Sequence, residues 1–483
     1  MFRDRYDIWL AGRPVPGDGE IPVRHKVSGE VVTRVGAAGP ATLEAAIAAA
    51  AAAAPELRKL PAWRRQKTLL CFVDALTARH EELARVLCVE AGKPIRDARV
   101  EVARAVDTFR IAAEESVRLD GEIMPLDISP RATGYEAHLR RVPVGPCAFI
   151  TPFNFPLNLA AHKMAPALAV GCPFILKPAS ATPVSSLLMG EILAAQDLPP
   201  GTFSVLPCAG RDAAPLVEDE RIALLSFTGS PEVGWDLKRR CGRKKIALEL
   251  GGNAACIVDE GSDLDYVVPR LVMGAFYQSG QSCISVQRII AHASLYAELR
   301  DRLAASAREL VMGDPLDEAT FLGPLISEDD AVRVAAWVEE AVAAGARLVC
   351  GGGRRGPFVP ATLLENVPRG LPVSCREVFG PVAVLERFDD FADAVARVND
   401  SAYGLQAGVF TRDLGRARFA AEACEVGGVV IGDVPSFRVD SMPYGGVKQS
   451  GFGREGVRFA MEEMNELRLT VFNDNYLRPG GAT

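Results

Sequence analysis

Short apolar runs alternate with amphipathic stretches through the middle of the chain. Strand-like runs cover residues 147–151, 174–177, 203–206, 222–227 and 246–250, and stretches with helical periodicity separate them. Strands that alternate with helices of this length predict an α/β fold, in which helices cover both faces of a parallel sheet. Ligands bind such folds beyond the carboxyl ends of the strands, so we expect a binding site at that edge.

Other patterns flank this block. Helical periodicity predicts a layer of helices over residues 42–117, with Thr42 as the N-cap of the first helix and a continuous helical stretch over residues 62–87. Residues 121–145 alternate apolar and polar positions, which predicts a β-hairpin. A further block of alternating strands and helices covers about residues 264–447.

The composition excludes several classes of protein. The formal net charge is −7, with 54 basic and 61 acidic side chains and no apparent basic face, which argues against nucleic-acid binding. No apolar run is long enough for a signal peptide or a membrane span, so we expect a cytoplasmic protein that binds no membrane. Eleven cysteines without paired spacing suit a reducing compartment. The lack of CxxC and HExxH patterns, with only five histidines, gives no support for a metal site.

Two residues suggest covalent chemistry at a carbonyl carbon. Cys283 follows Gly280, Gln281 and Ser282, and Glu249 stands at the end of a predicted strand. A cysteine thiolate can add to a carbonyl, and a carboxylate can later deprotonate the water that releases the product. Each residue also has an ordinary interpretation, since most intracellular cysteines are small buried apolar residues and a carboxylate at a strand end is usually solvated or capping.

Further motifs accompany this pair. They are Thr151-Pro152-Phe153-Asn154-Phe155-Pro156, Phe174-Ile175-Leu176-Lys177-Pro178, Phe227-Thr228-Gly229-Ser230-Pro231-Glu232-Val233-Gly234, Glu377-Val378-Phe379-Gly380-Pro381 and Pro443-Tyr444-Gly445-Gly446-Val447-Lys448-Gln449-Ser450-Gly451. With the cysteine segment they make six motifs, and nearly the whole chain resembles the aldehyde dehydrogenase superfamily. Within it, the chain is similar to the branch of lactaldehyde, non-phosphorylating glyceraldehyde-3-phosphate and phosphonoacetaldehyde dehydrogenases.

The resemblance implies an aldehyde dehydrogenase-like fold, with a Rossmann-type parallel-sheet cofactor domain, an α/β catalytic domain and a protruding oligomerisation hairpin. At 483 residues the chain has room for about three such units. We expect the cofactor domain over residues 1–120 and 143–250, the catalytic domain over 251–448, and oligomerisation strands over 121–142 and 465–478. The family's hairpin pairs subunits, so the resemblance implies a homodimer or homotetramer, whereas the alternation alone fits an ordinary surface hairpin equally well.

The resemblance implies oxidation of a small-molecule aldehyde to its carboxylic acid with NAD or NADP. Cys283 would form a thiohemiacetal and then a thioester, Asn154 and the Cys283 backbone N–H would bind the oxyanion, and Glu249 would activate the hydrolytic water. Lys163 has a family role in ordering the site, although a solvated lysine is an equally good local interpretation. The alternatives are a CoA-acylating enzyme, which generally lacks a carboxylate at the Glu249 position, and a catalytically silent homologue.

The cofactor-binding expectations differ from the common dinucleotide fingerprint, because no GxGxxG follows the first strand of the block. Gly229 and Ser230 instead open a helix at Pro231, and a helix N-terminus binds anions, although these residues also fit a simple turn and cap. Many NAD-preferring relatives carry a glutamate where this chain has Ser180, so NADP should be tolerated or preferred, with Lys177 attracting its 2′-phosphate. A serine can also hydrogen-bond the unmodified ribose. The residues expected to contact the cofactor are Thr151, Pro152, Phe153, Lys177, Ser180, Gly210, Phe227, Thr228, Gly229, Ser230, Val233, Leu250, Gly251, Glu377 and Phe379.

The sequence constrains the substrate residues least. Arg110 and Arg438 fall where relatives acting on phosphorylated or carboxylated aldehydes place anion-binding arginines, and Phe155 is a further candidate. Paired guanidinium groups would favour a small anionic aldehyde, although both arginines could instead make structural salt bridges. A small hydroxylated aldehyde is the other expected substrate. Ser282, next to the nucleophile, brings no charge, which weakens the case for a phosphate pocket around the cysteine.

Overall fold

Strands and helices alternate along residues 2–477 of the 483-residue chain, the part that a computed structural model describes. The strands are β1 (Arg5–Tyr6), β2 (Ile8–Leu10), β3 (Arg13–Val15), β4 (Gly19–Arg24), β5 (Val31–Ala37), β6 (Glu122–Pro125), β7 (Tyr135–Pro143), β8 (Cys147–Ile150), β9 (Phe174–Lys177), β10 (Phe203–Val205), β11 (Leu224–Thr228), β12 (Lys245–Glu249), β13 (Ala255–Val258), β14 (Arg288–His292), β15 (Arg347–Cys350), β16 (Thr362–Glu365), β17 (Val382–Phe388), β18 (Tyr403–Gly404), β19 (Gln406–Phe410), β20 (Gly428–Ile431), β21 (Val447–Lys448), β22 (Gly451–Phe452) and β23 (Asn465–Asn473). The helices are α1 (Pro40–Lys59), α2 (Ala62–Ala78), α3 (His80–Ala91), α4 (Ile95–Glu115), α5 (Asn158–Val170), α6 (Val184–Ala194), α7 (Ala214–Glu218), α8 (Pro231–Arg240), α9 (Leu264–Phe276), α10 (Tyr296–Arg308), α11 (Glu328–Ala343), α12 (Pro372–Cys375), α13 (Phe391–Asn399), α14 (Leu414–Ala423), α15 (Val457–Glu463) and α16 (Asp474–Leu477).

The predicted parallel sheet is the centre of the first half of the chain. Strands β12, β11, β8, β9 and β10 are parallel neighbours in that order, and β22, β2 and β3 extend the sheet to eight strands. Successive side chains of a strand point to opposite faces. Phe149 therefore belongs to the core beneath α2 to α6, while Ala148 and Ile150 belong to the core beneath α1, α7 and α8. Helices cover both faces, as predicted.

A second sheet of seven strands forms most of the later half. Strands β16, β17, β14, β13, β19 and β20 are parallel neighbours, and β15 joins the edge antiparallel. Helices α9 and α10 pack on one face, and α11 to α14 pack on the other. The chain then returns to the first sheet, because β22 pairs with β12 and α15 packs on α4 and α5. The fold class predicted from the sequence is confirmed.

Three antiparallel strands, β6, β7 and β23, form a separate small sheet that contains the predicted hairpin. The pairing of β23 with β7 runs over nine residues, from Asn465 opposite Pro143 to Asn473 opposite Tyr135. Residue 478, the end of the predicted second strand range, lies outside the described residues. The role of this sheet in pairing subunits stays a prediction.

The start of the first helix differs from the sequence prediction. Helix α1 begins at Pro40 with Gly39 as its N-cap residue, so Thr42 lies inside the first turn. The Thr42 hydroxyl donates to Asp18 at 2.6 Å, and the same carboxylate oxygen accepts the Gly39 N–H at 2.7 Å. The Asp18 carboxylate therefore does what Thr42 was predicted to do: it accepts a backbone N–H at the start of the helix. The predicted continuous stretch over residues 62–87 is two helices, α2 and α3, which meet at Arg79 (φ −102°, ψ 16°).

Three features are absent from the described part of the chain. No helix within residues 2–477 is both long and apolar enough to cross a bilayer. The eleven cysteines, all of which the structure describes, are free thiols. No group of three or more His, Cys, Asp or Glu side chains in these residues is arranged to hold a metal ion.

Candidate active site

One cavity of about 450 Å³ collects most of the predicted catalytic residues. It lies beyond the carboxyl ends of β8, β11 and β12, as expected for a parallel sheet. We call it the reaction chamber and define it by five residues that line it: Asn154, Glu249, Cys283, Arg438 and Tyr444.

The segment before Cys283 has an unusual backbone. Gln278 and Ser279 are both left-handed, with φ of 49° and 55°, in a short 3₁₀ turn that follows α9. Asp97 accepts the Gln278 N–H at 3.1 Å, and the Ser279 hydroxyl donates to the Gly323 carbonyl at 2.7 Å. Non-glycine residues keep a positive φ only where their surroundings hold them. Contacts from two distant segments therefore hold the loop that presents the thiol.

Cys283 is half-buried, and its Sγ lies 3.1 Å from the hydroxyl oxygen of Tyr444. Burial raises the pKa of the thiol to about 12, since a thiolate is unfavourable away from water. The hydrogen bond with Tyr444 and the charge of Arg438 lower this pKa, whereas Glu377 and Glu249 raise it further. Sequence reasoning missed Tyr444 as a neighbour of the thiol, because it stood only as one letter of a late motif.

Asn154 follows β8 and presents its side-chain amide to the chamber. Its Nδ2 donates to the Gln281 carbonyl at 3.0 Å. A carbonyl can only accept, so this bond determines which end of the amide carries the hydrogens. The Gln278 side-chain amide donates to the backbone carbonyl of Asn154 and so connects the cysteine loop to this segment. The second Nδ2 hydrogen is available to donate to a ligand oxygen, as a residue of an oxyanion hole must.

Glu249 is buried at the carboxyl end of β12. Its Oε2 has no hydrogen-bond partner within residues 2–477. Burial raises the pKa of this carboxyl well above its usual range, and Glu455 raises it further, while Arg438 and Lys163 act in the opposite direction. An unpartnered carboxylate with a raised pKa is suited to accept a proton.

Lys163 lies behind the chamber, away from solvent. Helix α5 carries it into the core, where its Nζ donates to Ser226 Oγ and Glu455 Oε1, both at 2.7 Å. Burial alone would raise the pKa of Glu455, but Lys163, Arg438 and His162 together lower it to about 2. The interpretation of Lys163 as a solvated lysine does not hold. Glu455 lines the chamber, and sequence reasoning missed it.

Four arginines of the described chain line the chamber, and only one of them, Arg438, was predicted; the others are Arg104, Arg333 and Arg376. The Arg438 guanidinium lies 3.5 Å from Glu455 and 3.7 Å from the ring centre of Tyr444. Its Nε is buried and has no hydrogen-bond partner in the described part of the chain. Arg104 donates to Asp440 at 2.8 Å on the chamber wall. Arg104 is therefore paired with a carboxylate, whereas the Arg438 guanidinium lies beside both Glu455 and, at 3.4 Å, the His162 Nε2.

The other predicted substrate arginine lies elsewhere. Arg110 is exposed on α4 and pairs with Asp107 at 2.5 Å. It lines a separate hollow of about 300 Å³, to which Arg104 and Arg438 also contribute, but it does not line the chamber. This salt bridge fits the interpretation of Arg110 as a structural residue. Phe155, the remaining predicted substrate residue, does line the chamber. Helical periodicity marks Arg104 and Arg110 alike as polar and cannot tell which of them faces the chamber.

A second cavity of about 370 Å³ adjoins the chamber, and the two share predicted cofactor contacts as lining residues: Pro152, Phe153, Thr228, Gly229 and Ser230. We call the remainder of the second cavity the distal groove, and define it by five more predicted contacts: Thr151, Lys177, Gly210, Phe227 and Val233. Four others line the chamber: Leu250, Gly251, Glu377 and Phe379. Ser180 lines neither cavity.

The groups along both cavities suit a dinucleotide. Ser230 caps α8, where its Oγ accepts the Val233 N–H at 3.4 Å, and the N-terminus of this ten-residue helix borders both cavities. The free N–H groups and the dipole of such a terminus stabilise an anion. The hydroxyl oxygens of Thr151 and Thr228 are buried and have no partner among the described residues.

Glu377 stands at the chamber end of this arrangement. Its Oε1 accepts the Gly252 N–H at 2.9 Å. A Cβ at Gly251 would lie 2.3 Å from its Oε2, so a larger residue there would displace the carboxylate from this position. Burial raises the pKa of Glu377 to about 7. A carboxylate here can accept hydrogen bonds from ribose hydroxyls.

Lys177 and Ser180 are both bound to backbone carbonyls. The Lys177 Nζ donates to the Pro178 carbonyl at 3.2 Å, and burial lowers the pKa of Lys177. The Ser180 hydroxyl donates to the Cys208 carbonyl at 3.1 Å. Arg211, which sequence reasoning missed, lines the distal groove with a side chain that is 89% exposed. A guanidinium this exposed can turn toward a ligand phosphate.

Comparison with known proteins gives the class. The model described as "Aldehyde dehydrogenase family" matches residues 15–470. The chain is 43% identical over 412 residues to 3-sulfolactaldehyde dehydrogenase of Priestia aryabhattai, which covers 85% of this chain and 86% of that protein. The crystal structure of aldehyde dehydrogenase 21 from Physcomitrella patens, in complex with the reaction product succinate, matches with a TM-score of 0.97 and 48% identity over 98% of this chain and 99% of that one. Glyceraldehyde-3-phosphate dehydrogenase from Methanocaldococcus jannaschii, complexed with NADP, matches with a TM-score of 0.90 and 38% identity over 94% and 99% of the two chains.

The fold and these relatives define an oxidoreductase that acts on aldehydes with NAD or NADP. The chain belongs to the aldehyde dehydrogenase family. The family expected from the sequence, its branch and its nicotinamide cofactor are confirmed.

Proposed function

We propose that this aldehyde dehydrogenase oxidises a short aldehyde that carries an anionic group, through a covalent intermediate on Cys283. One observation carries the proposal. The reaction chamber brings Cys283, Asn154 and Glu249 together with Arg438, whose buried Nε lacks a partner in residues 2–477. A buried donor without an acceptor is unfavourable, and an anionic substrate would supply the missing acceptor.

The reaction follows from the side chains of the chamber. The Cys283 thiolate adds to the aldehyde carbon, and the oxyanion accepts hydrogen bonds from Asn154 Nδ2 and the Cys283 backbone N–H. The chemistry that NADP or NAD supplies when bound is acceptance of the hydride from the thiohemiacetal carbon. Glu249 then takes a proton from water, and the hydroxide attacks the thioester on Cys283, which releases the acid and regenerates the thiolate.

The residues that would hold the nicotinamide dinucleotide line both cavities. The helix N-terminus at Ser230 suits the pyrophosphate, and the Glu377 carboxylate suits ribose hydroxyls. Ser180 brings no negative charge that would repel a 2′-phosphate, and Lys177 and Arg211 supply positive charge in the distal groove. We therefore propose a preference for NADP over NAD.

The charges of the chamber support an anionic substrate. Burial alone would lower the pKa of Arg438, but the surrounding acidic groups, among them Tyr444 and Glu455, outweigh that effect and raise it. Arg104 adds another cation at the chamber wall. Of the three relatives compared above, one is named for a sulfonated aldehyde, one is named for a phosphorylated aldehyde, and one was solved in complex with its reaction product succinate, a carboxylate. A guanidinium fork can pair with each of these anions.

Glu249 favours hydrolysis over transfer of the acyl group to CoA. CoA-acylating relatives generally lack a carboxylate at this position. In this chain the Glu249 carboxyl group is buried, its Oε2 has no partner within the described residues, and its pKa is raised. A silent homologue is disfavoured for a related reason. A buried carboxylate and a buried guanidinium with unsatisfied atoms beside the half-buried thiol lower stability, and chemistry gives a reason to keep them.

We also propose a cytoplasmic homodimer or homotetramer. Eleven free thiols suit a reducing compartment. On the small sheet, Ile123, Leu467 and Leu469 are more than half exposed, and β23 is an edge strand among the described residues, which suits pairing with a second copy. Light scattering after size-exclusion chromatography tests this on the parent and on Leu469→Lys. A monomeric parent would contradict it.

Steady-state oxidation of paired aldehydes tests the substrate class. Succinic semialdehyde against butanal, and glyceraldehyde 3-phosphate against glyceraldehyde, differ only in the anionic group. With NADP we expect kcat/KM at least about tenfold higher for the anionic member, since a hydrogen bond to a charged group contributes roughly 1.5–3 kcal/mol. Equal values within both pairs would contradict the proposal, and an acyl-CoA product in the presence of CoA would contradict hydrolysis.

Variants of three arginines sharpen this test. In Arg438→Gln and Arg104→Gln the advantage of the anionic aldehyde should fall about ten- to hundredfold, while the neutral member should change much less. Arg110→Gln is the matched control, because it removes a guanidinium from the same helix as Arg104 but outside the chamber. Loss of the advantage in Arg110→Gln alone would move the anion site out of the chamber.

A further inference from the structure

We propose that the Tyr444 hydroxyl is a catalytic group that stabilises the Cys283 thiolate by donating a hydrogen bond to its sulfur. The inference rests on the proposed function in that Cys283 must be the nucleophile. It adds a group that touches the reacting atom: the Tyr444 hydroxyl oxygen lies 3.1 Å from Sγ. The thiol proton goes to solvent, and the tyrosine keeps its own.

The hydrogen bond has one possible direction once the thiol is ionised. In the thiol form either atom could be the donor. A thiolate has no proton, so the hydroxyl must then donate. Hydrogen bonds to a charged partner are stronger than those between neutral groups. The contact therefore stabilises the thiolate more than the thiol, which helps to offset the burial that raises the pKa of Cys283.

The other groups around the sulfur do not offer this donor. The titratable and charged groups that face it are Glu249, Tyr277, Glu377, Arg438 and Tyr444. The two carboxyl groups raise the pKa of the thiol, and Tyr277 donates its hydroxyl proton to Ser282 Oγ at 3.0 Å. Arg438 contributes positive charge, and Tyr444 contributes the hydrogen bond.

The surroundings hold the Tyr444 hydroxyl in place and keep it protonated. Its backbone N–H donates to the Glu455 carbonyl at 3.0 Å, and the Arg438 guanidinium lies over its ring at 3.7 Å. A cation over an aromatic face is attracted to the ring, and its field makes the phenol a better donor. Burial raises the pKa of Tyr444 well above its usual range, so the hydroxyl keeps its proton at neutral pH.

The ring and the hydroxyl of Tyr444 have separable uses. The ring packs with Ile284 and Leu405 in a small apolar cluster that also contacts Cys283. Phenylalanine would preserve that packing and remove only the donor. A purely structural role therefore predicts no change in thiol reactivity in Tyr444→Phe, whereas the proposed role predicts a specific loss.

Alkylation of the free enzyme by iodoacetamide tests the proposal without any substrate. The rate at Cys283 is followed by peptide mass mapping of the full chain from about pH 6 to about pH 10. Tyr444→Phe should raise the pKa of the thiol by about one to two units. A more basic thiolate is a better nucleophile, with a Brønsted slope of about 0.4–0.5. The rate below the pKa should therefore fall about three- to tenfold.

Two controls and a second modification keep the outcome clear. Tyr403→Phe removes a hydroxyl from a tyrosine that lines the same chamber without bonding Cys283, and should leave the alkylation rate unchanged. The exposed thiol of Cys375 is an internal standard that should react equally in every protein. Incorporation of 3-fluorotyrosine at position 444 makes the phenol more acidic and should raise the rate at Cys283.

Each result has one consequence. Unchanged alkylation of Cys283 in Tyr444→Phe would overturn the inference and leave the proposed function standing. Full aldehyde oxidation by Cys283→Ala would instead overturn the proposed function. If Tyr444→Phe does not fold, the fluorotyrosine enzyme decides, because an unchanged or slower reaction at Cys283 would overturn the role of the hydroxyl.

Discussion

The reaction chamber and the distal groove adjoin each other, yet their charged groups are in opposite states. In the chamber, Glu249 Oε2 and Arg438 Nε are buried and unpartnered within the described chain. In the groove, Lys177 donates to a backbone carbonyl and Arg211 is exposed. A buried charged group without a partner interacts strongly with a ligand that enters the cavity. A charged group that is already hydrogen-bonded or solvated interacts with the ligand more weakly. Substitutions in the chamber should therefore change rates by orders of magnitude, and those in the groove should change cofactor choice by modest factors.

The largest effect is expected at the nucleophile. Cys283→Ala should lower kcat for aldehyde oxidation at least about 10⁴-fold, because the covalent intermediate cannot form. The Kd for NADP, measured by calorimetry, should stay within about threefold of the parent value, since the distal groove is untouched. Cys375→Ala, at an exposed thiol, is the control. A large loss of NADP binding in Cys283→Ala would mean that the two regions are not separable.

The second effect is expected at the base. Glu249→Gln should lower kcat about 10²- to 10⁴-fold, and mass spectrometry should detect an acyl-enzyme that accumulates on Cys283. Glu425→Gln, at a surface carboxylate paired with Lys448, should behave as the parent does. Turnover without an accumulating adduct would show that another group activates the water.

The pH dependence of deacylation and of stability in the parent protein gives a second test of Glu249. Only the carboxylate form of Glu249 accepts a proton, so deacylation should rise with pH through the raised pKa of this group. The folded chain keeps this proton in a pH range where the unfolded chain has lost it, so stability should fall as pH rises above the ordinary carboxyl pKa. In Glu249→Gln, urea unfolding at about pH 5 and about pH 8 should show a smaller fall. An unchanged fall would contradict the raised pKa.

The third effect is expected at Ser180, which follows the groove-lining Ala179 in the chain but does not itself line the distal groove. Ser180→Glu should lower kcat/KM with NADP about ten- to hundredfold and leave NAD little changed, because the new carboxylate would repel a 2′-phosphate. Ser180→Ala, which removes only the bond to the Cys208 carbonyl, should keep the ratio between the two cofactors. An equal loss with both cofactors would indicate damage to the groove in place of charge repulsion.

The smallest effect is expected at the exposed end of the groove. Arg211→Ala should weaken NADP binding about two- to fivefold, should not affect NAD, and should have less effect at high salt, because an exposed pair is screened. Arg239→Ala, at another exposed arginine paired with Asp236, is the control. A loss of NADP binding in Arg211→Ala as large as the loss of activity in a chamber variant would contradict the proposed difference between the two regions.

Local patterns predicted much of the scaffold. Strand β9 and helix α6 have the bounds that the sequence indicates, since β9 is an apolar run between Pro173 and Pro178 and α6 begins directly after Pro183. The Thr42 cap was wrong because the acceptor, Asp18, comes from a distant turn. The sequence indicated Arg110 where the structure has Arg104, again because of a distant contact. Packing against other elements decides which face of α4 lines the chamber.

By itself, the sequence determined the order of strands and helices, the strand ends that carry Asn154 and Glu249, and the family to which the chain belongs. Only the tertiary structure decided which side chains meet: Tyr444 with Cys283 across 161 positions, and Lys163 with Glu455 across 292. The physical reason is one of range. Hydrophobic periodicity records how neighbouring residues face a core, whereas pKa and hydrogen bonding depend on charges and burial contributed by distant parts of the chain.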